Sequence, residues 1–180
     1  MPGATDDRSA AGPLRGQAGL TLVSRLQRMD IVQYLTPLLG SWQGENRFRL
    51  MPTDDYKDSA ATATVTVTAA HFTSVAYAWS DGESPQEGLL LLAGGPSDTD
   101  PATAVWVDSW HTGRALMQFS GAVGGDGVLR LDGSYAAPTG PDWGWQIHLH
   151  PGEGRGGRIT MHNIVPGREA YEVVELVLER

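Results

Sequence analysis

The sequence predicts an all-β fold: a closed antiparallel up-and-down barrel of about ten strands, entered through a short N-terminal helix. Two observations carry this. From Gly40 onward the apolar residues recur with a period of two, the signature of half-buried strands. Breaks then punctuate the pattern at short intervals, among them Ser80-Asp-Gly-Glu-Ser-Pro85, Gly94-Gly-Pro-Ser-Asp-Thr-Asp-Pro101, Gly124-Gly-Asp-Gly127, Pro138-Thr-Gly-Pro141, Pro151-Gly-Glu-Gly154 and Pro166-Gly167. Each supplies residues that tolerate positive φ or lack a backbone donor. Links this short join antiparallel neighbours, and a long meander removes its exposed edges only by closing on itself. A two-sheet sandwich is the alternative that the same pattern allows.

Residues 1–19 are Gly, Ala, Pro and charge with little to bury, the composition of a disordered tail ahead of a single barrel domain over 20–180. A helical entry spans about 20–38: Leu22, Val23, Leu26 and Met29 recur at helical spacing, and Asp30 is placed to cap a second run carrying Ile31, Tyr34, Leu35 and Leu38. Pro37 and Gly40 end it. Met29 before Asp30 also resembles a translation start, which would leave the first 28 residues as an extension. Strands are expected near 42–51, 61–70, 72–80, 87–93, 103–110, 114–121, 127–136, 143–150, 157–165 and 169–179.

Composition narrows the function. The 180 residues carry a formal charge of −8 and a single lysine, Lys57. No basic stripe is available for a phosphate backbone or an anionic membrane, so nucleic acid and membrane are not expected partners. No apolar run reaches the roughly 20 residues of a transmembrane helix. With no cysteine there are no disulfides, thiolate metal sites or thiol nucleophiles. The opening residues lack a basic and then apolar leader, which makes the cytoplasm the expected compartment. Arginine-rich, lysine-poor usage suggests a bacterial source.

The most informative stretch is Trp106-Val-Asp-Ser-Trp-His111. Alternation places Trp106, Asp108 and Trp110 on one face and Val105, Val107 and Ser109 on the other, so a carboxylate sits between two indoles. That face suits the wall of a semi-polar cavity. The expected ligand-binding residues are Trp106, Asp108 and Trp110, with Tyr77 and Trp79 from the third strand and Trp145 from the eighth. This gives an apolar lining with one orienting polar group, for an apolar or amphipathic small molecule. Asp108 has two other readings: a general base in an enzyme of unknown reaction, or an ion pair with Arg114 or Arg130. No catalytic residue is assigned, because no Gly-x-Ser-x-Gly elbow exists and Asp108 and Ser109 project to opposite faces.

In Trp143-Gly-Trp-Gln-Ile-His-Leu-His150, alternation separates Trp143, Trp145, Ile147 and Leu149 from Gln146, His148 and His150. Two histidines at i, i+2 point the same way and can share a metal. A third ligand would come from another strand, with His162, His111 and Asp108 as candidates. The alternative leaves His148 and His150 on the solvent face. Neither a metal nor any other cofactor is predicted. The run Leu89-Leu-Leu-Leu92 puts apolar side chains on both faces of its strand, so one face needs a partner, either the N-terminal helix or a second copy in a homodimer.

Leu39-Gly-Ser-Trp-Gln-Gly44 after a helix, Trp106-Val-Asp-Ser109 in a middle strand, Gly133-Ser-Tyr135 before Trp143-Gly-Trp145, and a last strand ending in Glu179-Arg180 together resemble the bacterial domain of unknown function 1579 family over roughly 30–180. The resemblance implies a lipocalin-like, or calycin, barrel and brings no established activity. In such barrels a tryptophan at the position of Trp42 resembles the plug that closes the base. The Gly40-x-Trp42-x-Gly44 element is also similar to the start of the haem-binding nitrobindin barrels, which carry a further glycine where this chain has Asn46. A haem would need a proximal histidine, and His162 is the nearest candidate.

Overall fold

The computed structural model describes residues 29–152 and 156–179. The tail and the first part of the helical entry expected over 20–38 lie outside those residues. The described part of the entry consists of a four-residue helix α1 (Ile31–Tyr34) and a 3-10 turn (Thr36–Leu38). The cap works as the sequence suggests: Gln33 N–H donates to Asp30 Oδ1 at 2.7 Å, and Gln33 Oε1 accepts from the Asp30 N–H at 3.3 Å.

Ten strands then run in sequence order: β1 (Gly40–Phe48), β2 (Lys57–Thr68), β3 (Phe72–Ser80), β4 (Pro85–Ser97), β5 (Asp100–Asp108), β6 (Met117–Val123), β7 (Leu129–Tyr135), β8 (Trp143–Pro151), β9 (Gly156–Ile164) and β10 (Tyr171–Glu179). Each pairs antiparallel with the next, and β1 pairs with β10, so the meander closes and the sandwich alternative falls. Gly44 of the Gly-x-Trp-x-Gly element has a packing reason: a Cβ there would run into the Val177 carbonyl oxygen of β10, at the seam.

The barrel has two unlike ends. At one, Ile31, Leu35 and Leu38 are fully buried beneath the strands. Trp42 Nε1–H donates to the Leu38 carbonyl at 2.6 Å, so the indole plugs the base as expected. Tyr34 Oη ties the helix to the β6–β7 turn, donating to the Gly127 carbonyl at 2.8 Å and accepting from the Leu129 N–H at 3.1 Å. Above this end the interior is aliphatic, with Val65, Val75, Leu92, Leu129, Leu149 and Leu178 all buried. Toward the opposite end it becomes aromatic.

The expected fifth and sixth strands need correcting. β5 stops at Asp108 rather than running to 110, and β6 begins at Met117 rather than 114. The cause is Asp108 itself. Its Oδ1 accepts from the backbone N–H groups of Trp110 (2.8 Å) and His111 (3.0 Å), and Thr112 Oγ1 bonds both the N–H (2.8 Å) and the carbonyl (3.0 Å) of Asp108. These local bonds compete with the ladder and fold the chain into a turn over 109–116. On β4, Leu90 and Leu92 fill the interior while Leu89 and Leu91 face outward.

Candidate functional site: the aromatic end of the barrel

The site is built on a row of three residues that face each other across strands: Tyr77 on β3, Gly88 on β4 and Asp108 on β5. Because Gly88 has no side chain, the Tyr77 ring lies across β4 and its Oη donates to Asp108 Oδ2 at 2.7 Å. A Cβ on Gly88 would sit under 3.0 Å from the Tyr77 ring and hydroxyl. The same Oη accepts from Trp106 Nε1–H at 2.7 Å. Burial, and then the Asp108 charge, push the Tyr77 hydroxyl well above the usual phenol range, so it stays protonated and donating.

Trp106 is 1% exposed, Trp145 2% and Asp108 5%, so the inward face expected for β5 is the one observed, with Val105 and Val107 on the outside. Trp110 reaches the same cluster from the turn rather than from the strand. Its ring meets Phe48 and Trp79 edge-on, at centroid distances of 5.4 and 5.6 Å. Trp106 stacks on Trp145 at 5.8 Å and 13°, and His111 stacks on Trp145 at 4.2 Å. Tyr135 meets His111 edge-on at 4.8 Å.

Tyr77, Trp79, Trp106, Asp108, Trp110 and Trp145 therefore do converge, with Met161 and Val174 completing the enclosure. The space they leave is about 10 Å³, room for about one water molecule. The indoles fill the interior that the alternation alone would leave open. Asp108 is not held by Arg114 or Arg130 either: Arg114 is exposed in the turn, and Arg130 pairs with Asp126 at 2.6 Å. The Asp108 carboxylate bonds the Tyr77 hydroxyl and two backbone amides, and so fastens the 109–116 turn to the barrel.

The spare hydrogen-bonding capacity lies elsewhere. Asn46 Nδ2, His111 Nε2 and Trp145 Nε1 are buried without partners. Asn46 is on the inner face of β1, one inward step before Phe48. Burial lowers the His111 pKa below its usual value, against the opposing pull of Asp108, which leaves its imidazole neutral. Sequence reading noted Asn46 only as a departure from a glycine and Tyr135 only within a motif, although the inner row Trp42, Gly44, Asn46, Phe48 carries one polar residue in an otherwise apolar series. It passed over Asn163, which accepts from Tyr135 Oη at 3.0 Å and donates to Tyr171 Oη at 2.9 Å.

His148, His150 and His162 project from the outer face of β8 and β9. His162 therefore lies on the outer face and does not project into the interior. His148 and His162 have ring centroids 4.4 Å apart, and His148 and His150 6.4 Å. His148 Nε2, His150 Nε2 and His162 Nδ1 are buried and unpartnered. Burial first, then the neighbouring imidazoles and Arg130, bring His148 down to about 4, and burial lowers His150 and His162 as well. Among the described residues, no group of three His, Asp or Glu side chains is placed to hold a metal ion, and no helix is long and apolar enough to cross a membrane.

A ten-strand closed meander with a helix plugging one end is a lipocalin-like, calycin-type barrel. The chain belongs to the family described as protein of unknown function DUF1579, whose model matches residues 30–180. Among solved structures it is similar to that of Rv2717c from M. tuberculosis, at 18% identity over 83% of this chain and 96% of the other, with a TM-score of 0.52. That likeness is one of fold. No curated protein matches the sequence.

Proposed function

We propose that this protein is a small-molecule-binding barrel whose ligand enters at the aromatic end, where the 109–116 turn yields. The observation that carries the reading is the pair of buried, unpartnered side-chain nitrogens, Asn46 Nδ2 and Trp145 Nε1, on the aromatic half of the interior. Buried polar atoms without partners are rare and destabilising, and a ligand that bonds them removes that penalty. The surrounding indoles favour a flat apolar body, so the ligand class is an amphipathic, partly planar molecule bearing hydrogen-bond acceptors. It takes the place of Trp110 and His111, since the free space admits only about one water.

The test is titration with an environment-sensitive aromatic probe such as 8-anilinonaphthalene-1-sulfonate, read by energy transfer from tryptophan. Saturable 1:1 binding that Trp145→Phe weakens, with the fold intact by circular dichroism, supports the reading. Absence of saturable binding in the native protein, or binding indifferent to Trp145→Phe and to Asn46→Leu, overturns it.

A second reading, a homodimer, draws on the outer face of β4 and β5. Leu89, Leu91, Val105 and Val107 face outward there beside Ala76 and Ala93, without a charged side chain among them, on a chain of formal charge −8. Such a face lets two copies meet without like-charge repulsion. Leu91→Glu then yields a monomer in sedimentation; an unchanged sedimentation coefficient rejects it.

A further inference from the structure

We propose that the 109–116 turn and the β3–β4 hairpin open together as one gate over the aromatic end, with the Gln86 side chain as the joint between them. The consequence for ligand entry rests on the binding reading; the joint itself does not.

The turn is rooted at Ser109. Beyond Asp108, its hydrogen bonds among the described residues end on β4: Ser109 N–H donates to the Glu87 carbonyl at 2.9 Å, and Ser109 Oγ accepts from the Glu87 N–H at 3.0 Å. The Ser109 hydroxyl then donates to Gln86 Oε1 at 2.6 Å. Gln86 Nε2, at the other end of the same amide, donates to Asp81 Oδ2 at 2.8 Å and to Ser84 Oγ at 3.0 Å, so one planar group ties the turn to the hairpin. Asp81 is itself fixed, because its Oδ1 accepts from the Ser84 N–H at 2.7 Å and the Glu83 N–H at 2.8 Å. Those two bonds, Ser84 first, hold the Asp81 carboxyl below its usual range and keep it an acceptor at neutral pH.

A second contact runs in parallel. Trp79 lies opposite Gln86 across the ladder, and its ring meets that of Trp110 edge-on at 5.6 Å. The 49–56 loop, by contrast, is fastened to β10: Arg49 N–H donates to the Val173 carbonyl at 2.9 Å, Arg49 Nε–H to the Glu172 carbonyl at 3.1 Å, and Tyr171 Oη to the Leu50 carbonyl at 3.1 Å. It has no share in the joint. Residues 82–85 are exposed, so the hairpin can follow the turn with little loss of packing.

The test is a double-mutant cycle on the full chain, read by nuclear magnetic resonance hydrogen exchange at the Trp110 and His111 amides, which donate to Asp108 Oδ1 in the closed form. Gln86→Met removes both ends of the joint and speeds exchange there about fivefold, the factor that one neutral hydrogen bond carries. Asp81→Ala, a change confined to the hairpin, speeds the same two amides and adds nothing once Gln86→Met is present. The amides of Leu131 and Ile147, buried in the ladder, keep their rates. No response to Asp81→Ala, an undiminished response in the Gln86→Met background, or equal acceleration at Leu131 and Ile147 would each reject the joint. Association of 8-anilinonaphthalene-1-sulfonate is faster in Gln86→Met by a similar factor, and an unchanged association rate rejects the gate. Coupled exchange in a protein that binds no probe keeps the joint and overturns the binding reading alone.

Discussion

Gly88→Ala is the substitution that most directly probes the site. The backbone at Gly88 is ordinary strand, so alanine is acceptable there by itself and is even favoured over glycine by about 0.5–1 kcal/mol. Its cost comes entirely from Tyr77, whose ring and hydroxyl occupy the place of the new methyl. Displacing that ring breaks the bond from Tyr77 Oη to the Asp108 carboxylate and the one from Trp106 Nε1–H to Tyr77 Oη, both 2.7 Å long and buried. A bond to a charged group contributes about 1.5–3 kcal/mol and a neutral one about 1 kcal/mol, so the net loss is about 2–3 kcal/mol after the alanine gain. Tyr77→Leu removes the ring atoms for which Gly88 makes room while keeping apolar volume. In that background Gly88→Ala should be neutral or stabilising. Urea unfolding followed by far-ultraviolet circular dichroism on the four proteins of the cycle yields the coupling directly. Equal costs of Gly88→Ala in the two backgrounds would refute the argument, because the glycine would then serve the strand rather than the tyrosine.

Three further outcomes are expected from other parts of the fold. Tyr34→Phe removes both bonds that tie the entry helix to the β6–β7 turn and lowers stability by about 2 kcal/mol in the same urea assay. Ala69 and Ala70 hold φ of 47° and 64° in the β2–β3 turn, so Ala70→Gly raises stability by about 1 kcal/mol, seen as a higher melting temperature. His111 has a folded pKa below its usual 6.5; the unfolded chain takes up its proton first, so this group subtracts stability as pH falls below about 6.5. His111→Gln should flatten the decline in urea midpoint between pH 7.5 and 5, and an unchanged slope would show that the ring protonates freely in place.

The ten strands and their closure were legible because each rests on local chemistry: a period of two, and turns whose residues have few other uses. The inward face of Trp106 and Asp108 followed from the same alternation. The end of β5 was not read, although its signal was present. Asp108 is followed four residues on by Thr112 and then Gly113, a sequence that lets side chains bond their own backbone and leave the ladder. Alternation treats a carboxylate as a polar side chain with a direction; it has no term for a carboxylate that captures two amides just beyond it. The filled interior was hidden for another reason. Whether four indoles enclose a space or occupy it depends on their rotamers and on reach from different strands, and the stacked pair Trp106 and Trp145 comes from strands three apart in sequence order.

On the proposed binding function, that filling decides how a ligand gains entry. The strand ladder is continuous around the barrel, and the helix end is sealed by fully buried Ile31, Leu35 and Leu38, so opening either would break extensive backbone pairing or core packing. The 109–116 turn is fastened by two amide bonds to Asp108 Oδ1 and by ring contacts of Trp110 and His111. Two bonds to a carboxylate at about 1.5–3 kcal/mol each, and a few ring contacts at about 0.5–1.5 kcal/mol each, put the opening at about 5–10 kcal/mol. A molecule binding the open form loses a corresponding factor of about 10⁴–10⁷ in apparent affinity, unless it restores equivalent contacts. The stacking faces of Trp106 and Trp145 and the unpartnered nitrogens of Asn46 and Trp145 are what it has available to do so. Asp108→Asn weakens the fastening while leaving those contacts in place, so it should tighten the binding of an aromatic probe rather than abolish it. A general base would instead require turnover to vanish at the same substitution. Tighter binding in Asp108→Asn marks Asp108 as a latch, and weaker binding would mark it as a ligand contact.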